Sequence, residues 1–253
     1  RVVYNQAGTY DVSLIVSNNE GSSAIKTNTN YIQVRSGSGN FVAPRKVFFT
    51  ESNFPDYPLD QSLSWQIENR NNAMNTWSRT NTAFLSGPAS VYIRNYNNAL
   101  SNNRHDLISP ITDLTQMTNA YLNLDLAYAR RNNEVELLGF FYSDNCGGSW
   151  NRLKYEVNLV FETHPPMPDQ EFIPGSGADW RAYSLDISQL AALDNIRFRI
   201  EFVANGGNNI YIDNFEIAES PVTQVESFSD LMNDKSINIY PNPVKSEVII
   251  ELE

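Results

Sequence analysis

Two histidines, one cysteine and 29 carboxylates are the side chains through which this chain could turn over a substrate or hold a metal. A zinc hydrolase needs two imidazoles one helical turn apart with a glutamate between them, and neither His105 nor His164 has a second histidine at that spacing. His105-Asp106 falls in a polar stretch and His164 precedes Pro165-Pro166, so both read as solvated loop histidines. Cys146 sits in Asp144-Asn145-Cys146-Gly147-Gly148, a turn composition between two strands. A thiol nucleophile requires a base oriented by a third group, and the sequence places none nearby. There is no Gly-x-Ser-x-Gly elbow and no phosphate-binding glycine loop. No catalytic residue is assigned, and the region reads as noncatalytic.

Binding chemistry is better supplied. Trp65, Trp77, Trp150 and Trp180, with 13 Tyr and 13 Phe, could stack on the apolar face of a pyranose while Asn and Asp address its hydroxyls. Packing in a core is the commoner role for each of the four tryptophans, because they flank alternating strands. Two loops are the better candidates for ligand contact: 156–179, stiffened by Pro165, Pro166, Pro168 and Pro174 around Asp169, Gln170 and Glu171, and the Asn-rich 69–81.

The elements that position these residues are strands. Asn, Ser, Thr, Tyr and Phe are abundant, and period-2 alternation recurs along the chain. Expected strands are 46–50, 91–96, 121–129, 135–142, 180–187, 196–202 and 210–217, a spacing that suits a two-sheet antiparallel sandwich. Leu122, Leu124, Leu126 and Tyr128 share one face, and Ile196, Phe198, Ile200 and Phe202 alternate with Arg197, Arg199 and Glu201. Each such strand is expected to have one buried and one wet face. Only 188–193 hints at a helical turn. The fold class is therefore all-β.

A length of 253 residues predicts two or three units, and a formal net charge of −11 opposes nucleic acid and anionic lipid as partners. The lone Cys146 leaves no internal disulfide, and no apolar run approaches the length of a membrane helix. Residues 1–35 hold two strands joined by Glu20-Gly21-Ser22, 36–44 is a Gly/Ser linker, 45–218 is the main domain, 219–235 an acidic tether and 236–253 a new β segment. In that last segment Ile237 and Ile239 alternate, Tyr240-Pro241-Asn242-Pro243 forces a turn, and Val248, Ile250 and Leu252 restart the alternation.

Three resemblances attach to these segments. Gly8-Thr9-Tyr10 opening a strand resembles the last hairpin of a PKD domain, an immunoglobulin-like sandwich. The stretches at 107–114, 142–150, 178–187 and 207–214 resemble a MAM-like jelly roll found after the catalytic domain of secreted Bacteroidota enzymes, notably pappalysin-like zinc metallopeptidases. Residues 236–244 resemble the opening of the C-terminal sorting domain of type IX secretion cargo in Bacteroidota. The jelly-roll resemblance implies a structural calcium, with Glu51 and Asp213 as its carboxylate ligands.

The expected fold is an antiparallel jelly-roll sandwich, preceded by an immunoglobulin-like hairpin and followed by the start of a small β sorting module. Because Arg1 opens in mid-domain and Glu253 falls before the rest of the sorting module, the chain reads as a piece of a longer precursor. The expected function is that of a noncatalytic extracellular region of a type IX cargo protein, serving as spacer or as recognition module for a glycan or protein. The alternatives are the accessory C-terminal part of a secreted zinc metallopeptidase, with its catalytic domain upstream, and a cell-surface adhesin. The expected partners are the type IX secretion machinery and a glycan or protein ligand, without nucleic acid or membrane insertion. The expected location is extracellular or cell-surface, reached through the periplasm.

Overall fold

The computed structural model describes residues 2–4, 8–34, 41–71, 73–98, 102–222, 237–240 and 249–252. The chain divides into two units, Arg1–Pro221 and Val222–Glu253. In the first, β1 (Gly8–Leu14) and β2 (Lys26–Val34) pair antiparallel as a two-stranded sheet. Leu14, Val16, Ile25 and Tyr31 stand exposed on this hairpin. Two strands alone leave such side chains uncovered.

The rest of the unit is a β-sandwich. One sheet takes the order β10-β9-β12-β7-β4, with β4 Gln66–Asn69, β7 Asn103–Ile108, β9 Leu137–Ser143, β10 Asn151–Val157 and β12 Arg197–Ala204. The other takes the order β11-β8-β13-β6-β5, with β5 Ser78–Thr80, β6 Ser90–Ile93, β8 Tyr121–Tyr128, β11 Arg181–Asp186 and β13 Ile210–Ala218, while β3 (Arg45–Val47) also pairs with β13. All these pairings are antiparallel; Phe41–Val42 and Thr112–Asp113 add a short parallel pair. The expected all-β sandwich is what the chain forms. The seven expected strands are present with shifted ends, and β4, β5, β7 and β10 are additional. β4, β5 and β7 carry polar or charged residues at positions a simple alternation would make apolar, whereas β10 does alternate, with Leu153, Tyr155 and Val157 between Arg152, Lys154 and Glu156.

The core follows from period-2 alternation. Leu122, Leu124, Leu126 and Tyr128 of β8 meet Phe198, Ile200 and Phe202 of β12 in one buried cluster. Trp65 packs edge-on against Phe215 at 5.0 Å and beside Phe49 at 5.6 Å between ring centroids. Each side chain so buried contributes roughly 1.5–3 kcal/mol. Phe41 and Ala43, placed in a linker by composition, belong to this core.

One irregularity shapes the second sheet. Opposite β8, β13 carries an extra residue between Asp213 and Glu216, and Asn214 takes the left-handed conformation at φ 53°. This bulge switches the inward set from Ile210 and Ile212 to Phe215 and Ile217.

In the second unit, β14 (Ile237–Tyr240) pairs antiparallel with β15 (Ile249–Leu252), Ile237 opposite Leu252 and Tyr240 opposite Ile249. Tyr240 thus ends a strand, whereas Pro241, Asn242 and Pro243 lie outside the described residues.

Candidate functional site

The outer face of the β10-β9-β12-β7-β4 sheet gathers charged and aromatic side chains in mutual contact. Strand alternation places Arg197, Arg199 and Glu201 of β12 opposite to Phe198 and Ile200, hence on the face away from the core. Cross-strand pairing sets Asp106 of β7 beside Glu201, Glu68 of β4 beside Asp106, and Gly139 and Phe141 of β9 beside Glu201 and Arg199.

These residues bind one another. Arg70 donates from Nε to Asp106 Oδ2 at 2.7 Å, and its Nη1 lies 3.2 Å from Glu201 Oε2. Arg104 Nη1 donates to Glu201 Oε1 at 2.8 Å, and the Tyr155 hydroxyl donates to the same oxygen. Burial first, and then Glu201, pushes the Tyr155 hydroxyl pKa up, which keeps its proton in place for that bond. Gly139 makes the arrangement sterically feasible: a Cβ there would meet the Tyr155 ring at 2.5 Å. Only a glycine lets that ring lie against the strand.

Arg199 is held differently. Its guanidinium carbon lies 4.1 Å from the Phe141 ring centre and 4.7 Å from that of Trp150. The side chain is 8% exposed, and among the described residues its Nε has no hydrogen-bond acceptor. The turn after β9 delivers Trp150. Ser143 Oγ accepts the N–H of Gly147 at 2.8 Å, Asn145 Oδ1 accepts that of Ser149 at 2.9 Å, and Cys146 takes a φ of 58°. Trp150 itself is half-buried, so part of the indole remains open to solvent.

The expectation of a wet outer face is therefore corrected. Arg197, Arg199, Glu201 and Asp106 are all buried, because the aromatic rings and the long arginine stems cover the strand between them. Burial pushes the Asp106 pKa up to about 6, against the opposing pull of Arg70. The face carries Arg70, Arg104, Arg152, Arg197 and Arg199. Against these stand Glu68, Asp106 and Glu201, a local cationic surplus on a chain of net charge −11.

His105 is likewise corrected. It lies on β7 with no exposure, facing the interior, its Nδ1 3.4 Å from Thr76 Oγ1 and its Nε2 without a partner among the described residues. Burial lowers its pKa to about 4, so it is neutral. His164 is half-buried, with Nδ1 2.8 Å from the Pro165 carbonyl and Nε2 3.9 Å from Asp179. Cys146 is an exposed thiol in its turn. None of the three is hydrogen-bonded to a partner that would make it a nucleophile or base.

Trp65 and Trp77 are core residues, and Trp180 packs in a smaller buried cluster with Phe172 and Tyr211. Trp150 departs from the core expectation by lying on the sheet face. Of the candidate loops, 156–179 includes a short helix, Asn158–Phe161, and a cleft of about 240 Å³ along Pro166–Gln170. In 69–81, Asn71 Oδ1 accepts the Arg104 N–H at 2.9 Å, which ties this loop to the charged face.

Glu51 and Asp213 have different surroundings. Glu51 is exposed on a turn, whereas Asp213 is buried, with Oδ2 accepting the N–H groups of Leu85 (2.8 Å) and Ser86 (3.0 Å) and Oδ1 that of Asn214 (2.7 Å). N–H donors aimed at both oxygens present positive charge where a cation would sit. Among the described residues no group of three or more His, Cys, Asp or Glu side chains is gathered to hold a metal. Both Asp213 oxygens are thus already taken by backbone donors.

A second buried carboxylate is saturated by the protein. Glu136 Oε1 accepts from Asn95 Nδ2 (2.5 Å), Asn205 N (3.1 Å) and Gly207 N (3.0 Å), and Oε2 from the Tyr128 hydroxyl (2.6 Å). It fastens the 205–208 turn to β8 and to Asn95, just beyond β6.

No family profile and no curated protein sequence matches the chain. Solved structures show distant similarity to it at low identity. The K1 cleaved adhesin domain of Lys-gingipain from Porphyromonas gingivalis W83 is 18% identical, over 70% of this chain and 98% of that one, with a TM-score of 0.48. Carbohydrate-binding modules of the β-sandwich superfamily give 15% identity, coverages of 86% and 77%, and a TM-score of 0.42. TmCBM61 in complex with β-1,4-galactotriose gives 11%, 68%, 98% and 0.39. With TM-scores of 0.48 or lower, these likenesses are too distant to carry a function to this chain. Among the described residues no helix is long and apolar enough to cross a membrane.

Proposed function

We propose that the sandwich is a noncatalytic recognition module that binds a carbohydrate on the outer face of its β10-β9-β12-β7-β4 sheet. The observation that carries this reading is Arg199, clasped between Phe141 and Trp150, beside a carboxylate–guanidinium network already fixed by hydrogen bonds. An aromatic ring accepts the C–H face of a pyranose, and rigid donors and acceptors alongside it select among hydroxyl arrangements. Rigid placement on strands lowers the ordering cost of binding. Affinity electrophoresis against a panel of soluble polysaccharides tests the reading. Retardation by at least one polysaccharide, abolished in Trp150→Ala but kept in a control change at the exposed Leu159, is expected. Equal retardation of Trp150→Ala would move the site elsewhere.

The second unit supports a proposal about destination. Its support is the Ser236–Val244 motif, whose strand runs to Tyr240, and the returning strand at Ile249. We propose that these residues begin a type IX sorting module, and that the parent is a secreted or surface protein, either an adhesin or a zinc metallopeptidase with this region as accessory part. Removing residue 236 onward from the full precursor is expected to trap it in the periplasm with the sandwich folded. Normal delivery to the surface would refute the sorting role.

A further inference from the structure

We infer that the ligand taken on this face is an acidic glycan, and that Arg199 receives the carboxylate of a uronic acid unit. The inference rests on the carbohydrate reading above and names the class of sugar. Three of the four oxygens of Asp106 and Glu201 are engaged by other side chains, while Asp106 Oδ1 is buried without a hydrogen bond among the described residues and both carboxylates attract Arg199 only through space. Asp106 Oδ2 and Glu201 Oε2 face Arg70, and Glu201 Oε1 receives Arg104 and Tyr155. Arg199 Nε is covered by ring faces, which attract the charge but accept no directed N–H bond of the ordinary strength, and Asp106 and Glu201 add attraction without a hydrogen bond to that nitrogen. With the residue more than nine-tenths buried and Nε without an acceptor among the described residues, its charge is compensated less fully than buried charges normally are. Burial also pulls the Arg199 pKa below its usual value, and an anion placed on it would reverse that pull.

A neutral hydroxyl would satisfy a hydrogen bond but leave the local surplus of positive charge. A planar carboxylate matches the guanidinium fork with two parallel bonds and neutralises it. The half-buried Trp150 ring, still partly open to solvent, then walls the sugar ring that carries the carboxylate, while Phe141 backs the guanidinium from within. The chain's overall negative charge works against indiscriminate binding of polyanions, which leaves recognition to this short-range contact.

Calorimetry on the whole chain would use four probes: trigalacturonic acid, its methyl ester, neutral β-1,4-galactotriose and a sulfated galactotriose. The acid is expected to bind at least ~10-fold more tightly than the ester or the neutral trisaccharide. Arg199→Lys, which keeps the charge but loses the fork, is expected to remove that preference while an unchanged melting temperature shows the fold intact. A second measurement needs no variant. In the arginine side-chain ¹H–¹⁵N spectrum of the wild type, the Nε–H signal of Arg199 is expected to shift with the acid and stay put with the ester. Ester or neutral sugar binding as tightly as the acid would overturn the acidic-glycan inference and leave the carbohydrate reading standing. Sulfated sugar matching the acid, with the same loss in Arg199→Lys, would overturn the carboxylate assignment. No binding of any probe, together with no retardation on the polysaccharide panel, would fail both.

Discussion

His105 and Asp106 are neighbours on β7, buried on opposite faces of the sheet, and their ionisations should pull stability in opposite directions with pH. Asp106 has a folded pKa of about 6 against an ordinary 3.8, so the folded state holds its proton more tightly than the unfolded chain. Its contribution is fully present below the unfolded value and is lost as pH rises through about 6. His105 has a folded pKa of about 4 against 6.5, so its contribution is present above the unfolded value and is lost as pH falls through about 4. At about 1.4 kcal/mol per pH unit each amounts to about 3 kcal/mol, and in the wild type the two largely cancel. The perturbations are Asp106→Asn and His105→Gln, each followed by urea denaturation under tryptophan fluorescence between about pH 4 and pH 7. Relative to Asp106→Asn, the wild type should gain about 3 kcal/mol on acidification across that window. Relative to His105→Gln it should lose about as much. Differences of less than ~1 kcal/mol, or slopes of the same sign, would refute the claim that burial dominates both groups.

Three further outcomes follow from named contacts. Glu136→Ala leaves two backbone N–H groups, the Asn95 amide and the Tyr128 hydroxyl without their acceptor, and should cost at least ~4 kcal/mol in chemical denaturation, whereas Glu136→Gln, to whose amide the Tyr128 hydroxyl can turn, should cost under about half of that. Gly139→Ala drives a methyl into the Tyr155 ring and should destabilise by ~1–3 kcal/mol, with the ultraviolet titration of Tyr155 moving back toward its ordinary range as its bond to Glu201 is lost. Asp213→Ala should lower the melting temperature by an amount equivalent to about 3 kcal/mol through its three orphaned N–H groups, with calcium and chelator leaving both proteins unchanged; a chelator-sensitive wild type beside an insensitive variant would instead establish a cation at Asp213.

The strands most legible in the sequence were those whose apolar residues alternate without interruption, such as Leu122 to Tyr128 and Ile196 to Phe202. Local periodicity decides such elements, because one face must leave water whatever lies across from it. The turn at Cys146 was legible for a similar reason, since Gly147 takes a positive φ and the Asn145 side chain bonds across the turn, though Cys146 adopts a positive φ as well. The candidate site was half legible. The Arg197, Arg199, Glu201 alternation was visible, but its environment was not: a strand's outer face is wet or dry according to what neighbouring strands place beside it. Phe141, Tyr155 and Trp150 arrive from other parts of the chain, and their convergence buries Arg199 and leaves its Nε without an acceptor among the described residues. The stretch at 103–106 shows the same limit from the other side. Its polarity reads as loop, yet pairing with β12 and β4 draws it into the sheet, where His105 loses water to the core and Asp106 to Arg70. Composition and period therefore determined that this chain is an all-β sandwich poor in catalytic groups. Which of its charges are buried and which are paired was decided by tertiary pairing, because desolvation depends on neighbours that the local sequence does not contain.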